Sequence, residues 1–331
     1  MPTLSHGLAP RLCAIMIAAA CGNGCRPHEA GGTAAPAGKI FLPDPSSFSG
    51  SNAMAEVEAF VKLGPKEAGT EGALRAAEYI ADRLRRLHLR PELMEFEEDT
   101  VAGRKTFRNV ICRIRRGGNA LVVLTAHYDT KAGIAPSFQG ANDSGSGVGI
   151  LLELARCLSD EHGTEASACD VELAFVDGEE CVKSYGKRDG LHGSCRHAQS
   201  LFRTGEDRRV TAVIVVDMAG DRDLTVTIPR NSDPRLISLA FESSREENAR
   251  EKFSLYQGDI LDDHVPYIRA GMPAIDIIDF EYGSAPGRND YWHTPQDSLD
   301  KLSEQSLQII GRVLIRMLSK LSDSPPMPVR K

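Results

Sequence analysis

The chain of 331 residues lacks an excess of positive charge, a regular cysteine spacing and an apolar run long enough to cross a membrane. Its net charge of −7 argues against nucleic acid as a partner, because phosphate binding relies on clustered lysine and arginine. The cysteines form no Cys-x-x-Cys pair, which argues against a zinc ribbon or a disulfide-stapled mini-domain. No internal repeat is visible. With 41% hydrophobic and 26% charged residues, the composition suits one large or two small globular domains.

The N-terminal segment differs in character from the rest of the chain. Residues 12–20 form an apolar run followed by Cys21, which is typical of a secretory leader and too short for a transmembrane helix. The Ala-Ala-Ala-Cys sequence there resembles a bacterial lipobox, in which Cys21 is lipidated. We therefore predict a signal peptide or lipoprotein leader over residues 1–21 and a flexible tether over residues 22–49. The protein is expected to be exported to the periplasm or cell surface, and to meet a membrane only through a lipid on Cys21.

Apolar periodicity predicts alternating helices and strands in the remainder of the chain. Helical spacing of apolar residues marks helices over 52–63, 70–88, 144–158, 194–202, 234–247, 263–269 and 304–321. Short apolar runs mark strands over 92–97, 107–114, 120–126, 171–176, 211–216 and 273–278. This alternation predicts a three-layer α/β/α domain with a mixed, largely parallel central sheet. We place the domain at residues 50–322 and a C-terminal tail at residues 323–331.

Polar residues follow three of the strands that are expected to be buried. His127 and Asp217 each end such a strand, and Glu179 and Glu180 come shortly after another. Ligands of open α/β sheets bind at this carboxyl edge, where an unpaired carboxylate would be costly to bury. Glu179-Glu180 alone would be read as a solvated acidic turn. The four residues together instead indicate a constellation with a chemical role.

Further candidate ligands lie in turns near this edge. Asp129 is predicted to accept the free ring N–H of His127, as carboxylates do for metal-bound histidines. Asp143 lies in a glycine-rich turn that opens a helix, where a helix cap is the alternative and the glycine spacing argues against a dinucleotide loop. His293 follows Trp292, the only tryptophan, and a surface histidine is the alternative there. Two histidines and several carboxylates form the mixed nitrogen and oxygen set that zinc accepts.

With these residues in this order, the chain resembles the zinc-aminopeptidase superfamily, to which animal-type glutaminyl cyclases also belong. The resemblance covers roughly residues 50–322. It is carried by His127-x-Asp129, the Gly-Ala-Asn-Asp143 turn, Glu179-Glu180, Asp217 and Trp292-His293-Thr. Features closer to the cyclase branch are Asp177-Gly-Glu-Glu180 leading to Asp189-Gly-Leu-His-Gly-Ser194, the segment Asp262-Asp-His264-Val-Pro-Tyr, and a tryptophan directly before His293.

The cyclase resemblance implies conversion of the N-terminal glutamine of peptides or proteins to pyroglutamate, with release of ammonia, by an enzyme that we expect to be a monomer. It implies one zinc ion, held by Asp143, Glu180 and His293. Glu179 would be the acid and base. The roles implied beside it are a hydrogen-bond network of Asp217 and Asp262, and a substrate pocket containing Trp292, Tyr185 and Leu261.

The aminopeptidase pattern uses the same residues differently and remains an alternative. It implies two zinc ions bridged by Asp143, with His127 and Asp217 completing the second site and Glu179 activating a water. The Ser144-Gly-Ser-Gly-Val-Gly segment is closer to the aminopeptidases, and Tyr185 and Leu261 depart from the animal cyclases. A non-catalytic binding protein on this fold is a third alternative, because a fold alone does not determine function.

Overall fold

A computed structural model describes residues 42–114, 117–159 and 169–323. Its α-helices are α1 (Gly50–Val61), α2 (Glu71–Arg86), α3 (Gly147–Ser159), α4 (His192–Thr204), α5 (Pro234–Glu246), α6 (His264–Arg269) and α7 (Glu304–Asp323). Its strands are β1 (Glu92–Thr100), β2 (Gly103–Ile114), β3 (Ala120–His127), β4 (Cys169–Val176), β5 (Val210–Asp217), β6 (Val226–Ile228), β7 (Phe253–Leu255) and β8 (Ala274–Ile278).

The main sheet has six strands in the order β1-β2-β4-β3-β5-β8. Strands β4, β3, β5 and β8 run parallel, whereas β2 pairs antiparallel with both β4 and β1, so the predicted mixed and largely parallel sheet is confirmed. His127 is in register with Val176, and Asp217 is in register with Ile278. The parallel strands therefore end together, which brings the polar residues that follow them to one edge.

Helices cover both faces of the sheet, as the apolar central strands require. Successive residues of β3 point to opposite faces: Val122 and Leu124 join the core shared with α1, α2, α3, α5 and α7. Leu121 and Val123 join a smaller core shared with α4 and α6. Because successive side chains of a strand point to opposite faces, β3 contributes to a core on each side of the sheet. The helices on the two sides and the sheet between them form three layers.

Some elements differ in extent from the predictions. The hairpin of β1 and β2 continues to Thr100 and Gly103, because its outer half pairs polar side chains that carry no apolar signal. The predicted helix over 144–158 begins at Gly147, and the six residues before it, Ala141–Ser146, form a separate turn of π-helical type. The parallel pair of β6 and β7 was not predicted, because three-residue strands are too short to show a period.

The folded part begins before residue 50. Phe48 is buried in the main core, and Asp44 caps a short 3-10 helix over Pro45–Ser47. Residues 44–49 therefore belong to the fold rather than to the predicted tether. The predicted leader, Cys21, the rest of the tether up to residue 41 and the tail from residue 324 lie outside the described residues. Within the described ranges, no helix combines the length and the apolarity needed to span a bilayer.

Candidate active site

The carboxyl edge of the parallel strands carries the predicted polar residues. His127 and Asp217 are the last residues of β3 and β5, and Glu179 and Glu180 follow β4 after a tight turn. That turn passes through Gly178 at φ +73°, where an added Cβ would lie 2.5 Å from the ring of Phe107. Glycine is required there because the backbone is left-handed and the ring leaves no space. All four polar side chains are largely buried, so they need partners.

Asp129 fixes the two glutamates through their backbone. Its Oδ1 accepts a hydrogen bond from the amide of Glu179 and its Oδ2 accepts one from the amide of Glu180, each at 3.1 Å. Asp129 Oδ1 lies 3.5 Å from His127 Nδ1, too far and too poorly aligned for the hydrogen bond that we predicted. Asp129 thus lies beside His127 as expected, but its bonds hold the turn that carries Glu179 and Glu180.

Asp143, Glu180 and His293, the predicted ligands of one zinc ion, come together. Nε2 of His293 lies 3.3 Å from Asp143 Oδ2 and 2.9 Å from Glu180 Oε1. One ligand atom from each residue lies within 4.8 Å of the other two. Ligands at zinc's usual bond length of about 2.1 Å in a tetrahedron lie about 3.4 Å apart, so the three atoms can converge on one ion.

The second predicted group, His127 with Asp217, lies on the other side of Asp143. Nε2 of His127 is 3.1 Å from Asp143 Oδ1 and 3.2 Å from Asp217 Oδ1. The two oxygens of Asp143 therefore face different histidines. This arrangement permits a second cation, and the donor atoms again lie within 4.8 Å of one another.

The charge balance of the edge favours a cation. Burial acts to lower the pKa of His293, yet the carboxylates of Asp143 and Glu180 raise it to about 9. Burial likewise opposes ionisation of Asp143, but His127 and His293 hold the pKa of this carboxyl well below its usual range. Positive charge at this place is thus strongly stabilised, as expected for a group of ligands that binds a metal.

Two residues that the sequence did not single out support the ligands. Nζ of Lys131 donates to Glu180 Oε2 at 3.2 Å and to the carbonyl of Cys181 at 2.7 Å. Asp297 accepts hydrogen bonds from the amide of Asn142 at 2.7 Å and the amide of Asp143 at 3.2 Å. In the sequence, the only signal for Lys131 was its position shortly after Asp129, and the only signal for Asp297 was its position shortly after His293.

Glu179 carries the features of a proton-transfer group. Its Oε1 accepts a hydrogen bond from the hydroxyl of Tyr185 at 2.8 Å. Burial raises the pKa of Glu179 above its ordinary value, and the nearby carboxyl of Asp262 raises it further. The pKa of Asp262 is itself raised by burial and by Asp217. A carboxyl whose pKa is moved toward neutrality can both accept and donate a proton.

The cleft above these groups has a volume of about 280 Å³. Trp292 forms one wall and stacks on His293 with ring centroids 3.9 Å apart. Leu261, 40% exposed, lies at the mouth. Sequence reasoning missed two other aromatic lining residues, Tyr256 and Phe280, because neither belongs to a motif. The predicted pocket residues Tyr185, Leu261 and Trp292 therefore all line the same cleft.

A mixed, largely parallel α/β sheet with a buried group of histidines and carboxylates at its carboxyl edge is the arrangement of the zinc-aminopeptidase-like fold class. The sequence places it more narrowly. A model of peptidase family M28 matches residues 109–318, more than half of the chain, and the protein belongs to that family.

Known relatives agree with this placement. A Bos taurus protein called glutaminyl-peptide cyclotransferase-like protein is 28% identical over 282 residues, covering 76% of this chain and 71% of the bovine protein. The crystal structure of an Acidobacteriales bacterium glutaminyl cyclase matches with a TM-score of 0.78 and 30% identity, covering 87% of this chain and 98% of that one. A Zn-dependent exopeptidase from Parabacteroides distasonis matches with a TM-score of 0.72 and 24% identity, covering 86% of this chain and 100% of the other, which shows the fold alone. The resemblance to the cyclase branch is confirmed.

Proposed function

We propose that the protein is a glutaminyl-peptide cyclotransferase that converts the N-terminal glutamine of peptides or proteins to pyroglutamate. The observation that carries the proposal is the meeting of Glu179, Asp262 and Trp292 at one cleft, in a chain similar to glutaminyl cyclases over most of its length. A cleft of about 280 Å³ suits a single terminal residue better than an extended peptide.

The reaction needs one proton to move between two nitrogens of the substrate. The α-amine attacks the carbon of the glutamine side-chain amide, a new C–N bond closes the ring, and the old C–N bond breaks to release ammonia. Glu179 takes the proton from the α-amine and returns it to the departing nitrogen. Tyr185 holds Glu179 in place at 2.8 Å, burial and the charge of Asp262 raise the pKa of Glu179, and Asp217 contributes to the raised pKa of Asp262.

Asp143, Glu180 and His293 would hold a zinc ion in this reaction, because their nitrogen and oxygen donors fit its preferences and spacing. When bound there, zinc supplies Lewis acidity to the side-chain carbonyl of the substrate. Lys131 offsets part of the charge of Glu180, and Asp297 orients Asp143. One ion suffices, since no water has to be activated.

A zinc aminopeptidase is the second candidate function. It is favoured by His127 and Asp217, which lie against the second oxygen of Asp143 and could hold a second zinc ion. Glu179 would then take a proton from water, and the product would be a shortened peptide. The fold does not separate these reactions, since it is shared with a Zn-dependent exopeptidase.

A peptide assay separates the two candidates. Incubation of the purified protein with a Gln-initiated peptide should release ammonia and leave every residue in the product. Release of a free N-terminal amino acid would support the aminopeptidase instead. The Glu179→Gln variant should lose turnover and keep the zinc content of the wild type, whereas loss of zinc would mean that the roles of Glu179 and Glu180 are interchanged.

We also propose that residues 1–21 are a leader, that the catalytic domain follows the tether, and that Cys21 carries a lipid that holds an exported monomer at the cell surface. The apolar run before Cys21 and its lipobox-like sequence support this proposal. Expression of Cys21→Ser should move the protein from the membrane fraction to the soluble fraction. Unchanged fractionation would remove the lipid from the proposal.

A further inference from the structure

A separate cluster of ionisable side chains lies behind Asp262. One ligand atom from each of Asp262, His264 and Asp276 lies within 4.8 Å of the other two. Asp262 lies two residues before α6, His264 is the first residue of α6, and Asp276 lies in the middle of β8. His264 and Asp276 are fully inaccessible to solvent, and Asp262 is 5% exposed.

The polar atoms of this cluster are not satisfied. Both ring nitrogens of His264 and both carboxylate oxygens of Asp276 lack a hydrogen-bond partner among the residues described. His264 Nδ1 and Asp276 Oδ2 lie 3.5 Å apart, but the contact does not meet the geometry of a hydrogen bond. A buried polar group left without a partner costs about 1–3 kcal/mol, so four such atoms at one point call for a ligand.

Most of the charges near the cluster are negative. Burial raises the pKa of Asp276, and the carboxylates of Asp262, Asp217 and Asp263 raise it further, although His127 acts in the opposite direction. Burial lowers the pKa of His264 to about 4, so its ring is neutral at neutral pH. Neutral imidazole is the form that binds a metal, and it adds no positive charge to offset the two carboxyls.

We propose that Asp262, His264 and Asp276 form an additional binding site for a divalent transition-metal cation, separate from the two groups of candidate ligands around Asp143. Two carboxylates and one imidazole match the ligand preferences of Zn²⁺ and Mn²⁺. The 3.5 Å between His264 Nδ1 and Asp276 Oδ2 is close to the spacing of about 3.4 Å expected for two ligands of one tetrahedral zinc ion. The site shares no residue with the group of Asp143, Glu180 and His293, or with that of His127 and Asp217.

A proton shared by the two carboxyls would leave more of these polar atoms without a partner than a cation would. A proton between Asp262 and Asp276 would pair one oxygen of each carboxyl, but the two nitrogens of His264 would still lack partners. A cation engages the imidazole and both carboxylates at once. The site would also hold Asp262 in its ionised form beside Glu179. The proposal does not depend on which reaction the protein catalyses.

Metal stoichiometry tests the site without reference to activity. The full-length protein is stripped with a chelator, reloaded with Zn²⁺ or Mn²⁺ and analysed for bound metal by mass spectrometry and calorimetric titration. We expect Asp276→Asn and His264→Gln each to bind about one equivalent less than the wild type. In a Glu180→Gln background, Asp276→Asn should lower the count by the same further amount, because the sites are independent.

The control is His197→Gln, which replaces another buried histidine. His197 already has partners on both ring nitrogens, Glu172 at 3.0 Å and the hydroxyl of Tyr267 at 2.8 Å. It should keep the full metal count. Equal counts for wild type and Asp276→Asn would overturn the proposal and leave protons or water as the occupants. If the variants do not fold, anomalous diffraction from zinc-loaded wild-type crystals tests the site directly. The proposal requires an anomalous peak between Asp262, His264 and Asp276, and its absence would overturn it.

Discussion

The hydroxyl of Tyr185 donates a hydrogen bond to Oε1 of Glu179 at 2.8 Å. Sequence resemblance suggested Tyr185 only as a wall of the substrate pocket. The bond gives it a further role, because it restrains the side chain that we propose transfers the proton. It also stabilises the charged form of Glu179 against burial and the neighbouring carboxyl of Asp262, which both raise the pKa of Glu179.

Replacing Tyr185 with phenylalanine should lower kcat by about tenfold while KM changes little, because the base loses its orientation. Without the donated hydrogen bond the pKa of Glu179 rises further, so the acidic limb of the kcat profile should move to higher pH. A pH series of peptide cyclisation measures both effects. Tyr79→Phe is the control, since its hydroxyl also donates to a glutamate, Glu56, at 2.8 Å, but Tyr79 does not line the cleft. An acidic limb that does not move would contradict the role given to the hydrogen bond.

Replacing Asp297 with asparagine should weaken metal binding about 10- to 100-fold, the usual cost of losing an outer partner of a ligand. Its two carboxylate oxygens accept the amides of Asn142 and Asp143, and asparagine offers only one acceptor. Competition with a chelator measures the change. Asp300→Asn is the matched control, because the Asp300 side chain is exposed and contacts Ser298 and Lys301, close neighbours in the chain. Equal metal retention in both variants would mean that Asp297 does not orient Asp143.

The sequence predicted the candidate ligands better than the residues that support them. Glu179, Glu180 and His127 could be found because each follows a strand that an apolar run makes visible, and parallel strands end at a common edge. The contact between Asp297 and Asp143 joins positions far apart in the chain through loops without any period. Neither composition nor spacing carries information on such a contact, so it became visible only in three dimensions.

Asp276 shows a different limit of prediction from sequence. It lies inside the apolar strand Ala274–Ile278, where a buried aspartate is costly unless it is paired. The sequence could therefore mark it as unusual, but the identity of its neighbours depends on how α6 packs against β8. The β1 and β2 hairpin was underestimated for a related reason, since the outer parts of its strands are polar and paired by their backbones.

The buried ion pair of Glu172 with Arg113 should make stability depend on pH. Burial acts to raise the pKa of Glu172, but His197 and then Arg113 outweigh it and hold this pKa below the usual value of 4.5. The stabilisation is thus complete above pH 4.5 and is lost as the pH falls through the lower, folded-state pKa. Glu172→Gln should lower the free energy of unfolding by about 3 kcal/mol at neutral pH, the usual cost of breaking a buried pair.

Urea titrations with a chelator present, at neutral pH and well below pH 4.5, measure this difference between Glu172→Gln and wild type. The difference should shrink in acid. Glu95→Gln is the control, because Glu95 is largely exposed in its pair with Arg108 and such surface pairs contribute about 0–1 kcal/mol. A difference of constant size at every pH would show that Glu172 acts through packing rather than through its charge.

Gly147, the first residue of α3, should not tolerate alanine. Helix propensity alone predicts a gain of about 0.5–1 kcal/mol from this change. An added Cβ would, however, lie 2.5 Å from the carbonyl oxygen of Val216 and 2.9 Å from Cβ of Ala126, and neither strand can yield. We expect a net loss of about 1–3 kcal/mol in urea unfolding, with weaker zinc binding because the turn that carries Asp143 directly precedes Gly147. Gly186→Ala, with its nearest neighbour at 3.8 Å, should leave both quantities unchanged. Equal stability of Gly147→Ala and wild type would show that α3 can shift away from the sheet without displacing the site.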